Sequence, residues 1–86
     1  MINFPNFRKG LDYQIQPAAD GWRVACNNVL GPPYSRQSDA IRDTLFIAAQ
    51  LEAGGERVRV RLLELDGRRK VWRELQARDA YLYRQT

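Results

Sequence analysis

Hydrophobic and polar positions follow two periods along this chain, and each period predicts a different element. From residue 35 to residue 53, SRQSDAIRDTLFIAAQLEA, the period is helical. At 100° per residue, Ala40, Ile41, Thr44, Leu45, Ile47, Ala48 and Leu51 share one arc, while Asp39, Arg42, Asp43 and Gln50 lie opposite. Burying Ile41, Leu45, Ile47 and Leu51 would contribute about 1.5–3 kcal/mol each before entropy, more than a cap or a surface ion pair adds. Tertiary packing must therefore hold this helix. Ser35 or Ser38 is placed to cap its start, and Asp39 suits the positive end of the dipole. Gly54-Gly55 is expected to end it, because glycine enters the left-handed region without steric cost. Phe46 breaks the pattern by pointing into the polar arc.

Elsewhere the period is two, as in half-buried strands. Leu11, Tyr13 and Ile15 alternate with Asp12, Gln14 and Gln16, and Trp22, Val24 and Cys26 alternate with Arg23, Ala25 and Asn27. A type I′ turn at Asp20-Gly21 would pair Ala19 with Trp22, Pro17 with Val24 and Ile15 with Cys26, bringing the apolar members mostly onto one face. Pro17 lacks a donor, so this strand should lie at an edge or break there. Asn27-Asn28 and Gly31-Pro32-Pro33 read as the connector to the helix. Beyond the helix, RVRVRLLEL over residues 57–65 sets Val58, Val60 and Leu62 on one side and Arg57, Arg59 and Arg61 on the other. Leu63 and Leu65 then break the expected apolar alternation, which a bulge near Leu62-Leu63 or a strand end covered on both faces would resolve. Asp66-Gly67 marks a second turn, and KVWREL over residues 70–75 returns as a fourth strand, its register open among loops of two to four residues.

The expectation is thus an α+β fold, ββαββ: a four-stranded sheet with one amphipathic helix packed on one face. Residues 1–10 read as an irregular lead-in whose Phe4 and Phe7 dock on the core, and residues 76–86 as a tail or a short helix. The whole chain of 86 residues is expected to be a single domain with one core.

Charge changes the picture through its placement. Fourteen Lys and Arg against ten Asp and Glu leave a net +4. Residues 56–73 hold seven of the basic residues (Arg57, Arg59, Arg61, Arg68, Arg69, Lys70, Arg73) and three acidic ones (Glu56, Glu64, Asp66), so the remainder is neutral. Cys26 is alone, and the start of the chain lacks the pattern of a secretory leader, so a cytoplasmic location is expected. The longest apolar run, residues 45–49, is too short to cross a bilayer, and no membrane role is expected.

The order Asp20-Gly21-Trp22-x-Val24, then Ser35 with Ala40-Ile41 in a helix, then Val58-x-Val60 and Asp66-Gly67-Arg68, resembles a family of small bacterial domains of unknown function. The resemblance covers roughly residues 13–71, and the chain departs from the pattern at Thr44, in the Gly-Pro-Pro connector and after Trp72. It implies a compact ββαββ-like domain, and it carries no activity and no catalytic residues.

The chemistry is sparse. Histidine is absent, which removes the commonest general base and metal ligand at neutral pH. Cys26 is most simply a small core hydrophobe, and no zinc site can be assembled from these side chains. Asp39 and Asp43 could share a metal or a proton, but with Arg36 and Arg42 nearby they read as a solvated face. Glycine-rich phosphate motifs are missing. No enzyme activity and no cofactor are expected. Two functional readings remain. Phe46, Trp72 or the Tyr81–Tyr83 stretch could meet a protein partner or a second copy of the chain, with Phe46 as the self-association contact. Alternatively Arg57, Arg59 and Arg61, about 6.6 Å apart along a strand, could join Arg23 and Trp72 in holding single-stranded nucleic acid on an open sheet.

Overall fold

The structure, a computed structural model, describes residues 10–83. In chain order they form β1 (Leu11–Ala18), β2 (Gly21–Cys26), β3 (Val29–Tyr34), α1 (Gln37–Ala53), β4 (Val58–Asp66), β5 (Arg69–Leu75) and a 3-10 helix (Ala77–Leu82). The strands make one sheet in the order β3-β2-β1-β4-β5. Neighbours are antiparallel except β1 and β4, which run parallel. A parallel pair needs a long crossover, and α1 supplies it, returning the chain over one face of the sheet.

The α+β class is as expected, but the sheet has five strands, not four. The added strand, β3, occupies the stretch read as a connector. Asn27 (φ 50°) and Asn28 (φ 73°) both sit in the left-handed region, so they form the two-residue corner that hairpins demand, with Cys26 opposite Val29. The Asn27 side chain braces this corner by accepting the Asp12 amide at 2.8 Å. Pro32 and Pro33 are tolerated because β3 is an edge strand, and the register shifts by one between Arg23 and Ala25.

The first hairpin also differs from expectation. Ala18 pairs with Gly21, so Ala19 and Asp20 make the corner, and neither has a positive φ. Ile15 consequently faces Val24, and Pro17 faces Trp22. The slip from the expected register is two residues, which preserves the face of every side chain. β1 is moreover a central strand, with Pro17 placed beyond the last residue that pairs with β4. In the β4–β5 hairpin Asp66 pairs with Arg69, leaving Gly67 (φ 68°) and Arg68 as the corner. That ladder continues without a bulge, so of the two arrangements expected near Leu62-Leu63 the bulge is absent; Leu63 is buried on the face away from α1, while Leu65 is exposed.

The start of α1 corrects another expectation: Arg36 is the N-cap and no side chain caps the turn, so neither serine does so. Its end follows expectation closely. The Glu56 amide donates to the Leu51 carbonyl at 2.9 Å and the Gly55 amide to that of Glu52 at 3.0 Å, with Gly55 at φ 95°. This is the paired closure that a left-handed glycine makes possible.

Ile41, Leu45, Ala40 and Ala48 of α1 pack on Ile15, Val60, Leu62 and Leu75 of the sheet, with Ala77 alongside. Ile47 is the exception. It stands at the margin of the stripe and is 42% exposed, while Leu51 is half-buried. Of the two readings for the stretch after residue 75, a tail or a short helix, residues 77–82 take the second, as the 3-10 helix. The docking of Phe4 and Phe7 lies outside the described residues, as do residues 84–86.

Candidate interaction surfaces

Two surfaces carry the sequence-derived candidates. The first is the sheet face opposite α1, where alternation and register bring together Asp12 of β1, Arg23 of β2, Arg59 and Arg61 of β4, and Trp72 and Glu74 of β5. Each of the arginines here holds a carboxylate. Arg59 grips Glu74 through Nε at 2.9 Å and Nη2 at 3.3 Å. Arg61 donates to Asp12 Oδ2 at 2.8 Å, and its guanidinium carbon lies 5.1 Å from the Trp72 ring centroid. Arg23 reaches Asp20 at 3.3 Å and donates to the Gly31 carbonyl at 3.2 Å, thereby tying β2 to the bulged part of β3.

The electrostatic consequences follow directly. Hydrogen bonds from Arg59 hold the Glu74 carboxyl below the usual carboxylate range, and the same fork pushes the Arg59 guanidinium up. The face is therefore a lattice of compensated charge, not a positive stripe. Arg57, which lies just before β4, stands apart from this lattice: it is exposed, and its side of the molecule borders a cleft of about 700 Å³ shared with Asp12, Asn27, Asn28 and Arg59. Trp72 is 42% exposed, and it lies opposite Leu63, which is only 8% exposed although none of the described helices covers this face. Arg59, Arg61 and Trp72 are thus brought together. Arg23 sits two strands away, level with Leu63, and Arg57 lies at the strand's entrance.

The second surface is on the helix side. In a 3-10 helix residues three apart share a face, so Ala77, Ala80 and Tyr83 turn inward, while Tyr81 and Leu82 turn out and are 62% and 58% exposed. On α1, Arg42, Asp43 and Phe46 lie within one turn of each other. Together with Ala80 and Tyr81 they line a cleft of about 380 Å³, and Phe46 is 59% exposed at its side. Arg42 is held at the rim by Asp39 and Asp43, each at 3.1 Å. On the other flank of α1, burial and the nearby Asp43 carboxylate push the Tyr34 hydroxyl up. Phe46 was legible in the sequence as a misplaced aromatic. That it shares a cleft with Tyr81 was not, although the three-residue spacing of Ala77, Ala80 and Tyr83 was the available signal.

No three side chains of metal-ligating type are grouped among the described residues. None of the described helices is long and apolar enough to cross a membrane, which leaves membrane-spanning strands unaddressed. The chain matches no protein-family model, no curated protein and no solved structure, so the family resemblance rests on its motif residues alone.

Proposed function

We propose that this protein is a non-enzymatic interaction module whose contact surface is the cleft between α1 and the 3-10 helix, with Phe46 and Tyr81 as its aromatic anchors. The observation that carries this reading is the convergence of those two exposed rings, thirty-five residues apart in the chain, on one cleft of about 380 Å³. Paired aromatics with a mixed-charge rim are what the centre of a protein interface favours. The lack of histidine supports the non-enzymatic part, and the single Cys26 suits a reducing compartment such as the cytoplasm.

Nucleic-acid binding by Arg23, Arg57, Arg59, Arg61 and Trp72 is the second reading, favoured by the exposed Trp72 ring beside Arg61. It ranks lower because a phosphate would compete with Asp12 for Arg61 and with Glu74 for Arg59. Selection of displayed peptides against the folded protein, with F46E as the counter-target, tests the first reading. Apolar-rich peptides whose binding is lost in F46E and Y81E support it, and peptides that bind wild type and F46E equally refute it. A salt series with a single-stranded oligonucleotide runs alongside. Binding that weakens steeply with salt and is abolished by W72A would move the assignment to the sheet face.

A further inference from the structure

The two edges of the sheet are unlike. The β3 edge is blunted by Pro32, Pro33 and a shifted register. The β5 edge has neither proline nor glycine over Arg69–Leu75, and its ladder with β4 is unbroken. An edge of this kind presents a row of backbone donors and acceptors. The two-residue corner decides which ones. Asp66 and Arg69 close the loop as a hydrogen-bonded pair, and alternation from there directs the N–H and C=O groups of Lys70, Trp72 and Glu74 away from β4.

Charged side chains usually keep such an edge from pairing. On β5 their order has a different effect. Two copies can join antiparallel about a two-fold axis normal to the sheet only if one residue sits opposite itself on that axis. Three such registers pair five or more residues of the seven-residue strand. Centring on Val71 sets Arg69 against Arg73 twice, and centring on Arg73 sets that arginine against itself. Centring on Trp72 sets Lys70 against Glu74 twice, stacks Trp72 beside Trp72 of the second copy, and opposes no like charges. Only this register is self-complementary.

We propose that β5 pairs with β5 of a second copy in the Trp72-centred register, making one continuous ten-stranded sheet. About six backbone hydrogen bonds join the copies through Lys70, Trp72 and Glu74. Glu74 keeps its fork to Arg59 and has lone pairs left for Lys70 of the second copy. The axis leaves both α1 helices on the same side of the sheet, and no contact of the pairing involves Phe46. The pairing is independent of the reading of the Phe46 cleft.

Sedimentation equilibrium on the full chain tests it. Wild type should dimerise. K70E turns both Lys70–Glu74 pairs repulsive and should weaken association by about tenfold or more. K70P removes a donor that β4 does not use, so it should abolish the dimer while the circular dichroism of the monomer is kept. In a C26S background, W72C should cross-link with a short bis-maleimide and K70C should not, because its thiols lie about 13 Å apart along the strand. A wild type that stays monomeric at several hundred micromolar overturns the proposal. So does a dimer that survives K70P, one that F46E dissolves, or one that K70C cross-links as readily as W72C.

Discussion

Replacing Gly21 by alanine separates two accounts of why a glycine follows Asp20. If Gly21 merely supplied a turn, the substitution would cost what a positive φ costs. In the folded chain the demand is greater. A Cβ at Gly21 would lie 2.2 Å from the Tyr34 carbonyl oxygen and 3.2 Å from its carbon, at a φ of 128°. The obstacle is backbone of β3, which cannot rotate away as a side chain could. To restore an ordinary contact, β2 and β3 must part by about 1 Å at the end where Trp22 faces Tyr34. The positive φ costs about 1–2 kcal/mol in an L residue, and losing the last ladder bonds adds about 1 kcal/mol for each. We expect G21A to destabilise the fold by about 2–4 kcal/mol, a large share of the total available to a chain of this size. Gly67 is the internal control: its φ is 68°, but no atom of the described residues lies within 4 Å of its added Cβ, so G67A should cost about 1 kcal/mol. Urea unfolding followed by tryptophan fluorescence measures both. If G21A costs no more than G67A, the close approach of β3 to β2 is wrong, and with it the account of the fifth strand.

Leu45 is fully buried at the centre of the contact between α1 and the sheet, so L45A should cost about 2–5 kcal/mol in the same unfolding assay, and a loss under 1 kcal/mol would mean that α1 does not pack there. The Glu74 carboxyl is held low in the folded state by Arg59, so the pair's contribution is present above the ordinary carboxylate value and fades as pH falls through the depressed one. Stability measured from pH 7 to pH 3 should therefore fall less steeply on the acid side in E74Q than in wild type, and parallel curves would refute the fork. Phe46 and Tyr81 are exposed, so F46E and Y81E should each shift stability by less than about 1 kcal/mol, and a larger loss would make the cleft part of the core.

The period of the apolar positions alone predicted a helix over residues 35–53, of which 37–53 form it, with Ala40, Ile41, Leu45 and Ala48 inward and with Arg59 and Arg61 sharing the face away from it. Period is a local property, and side-chain direction in a regular element follows from it. It could not place Ile47, because whether the edge of a stripe is covered depends on the width of the surface beneath. β3 has no local signature, because glycine and two prolines look like a connector until another strand supplies the ladder on one side. The partners of the arginines lack a local signature for a related reason. Arg61 meets Asp12 across forty-nine residues and Arg59 meets Glu74 across fifteen. Such encounters are set by strand order and register, quantities that long-range packing decides and no local spacing encodes. The compensated charge of the sheet face, the Phe46–Tyr81 cleft and the place of β5 at the edge of the described sheet are all of that second kind, since each requires two distant segments to be in place before it exists.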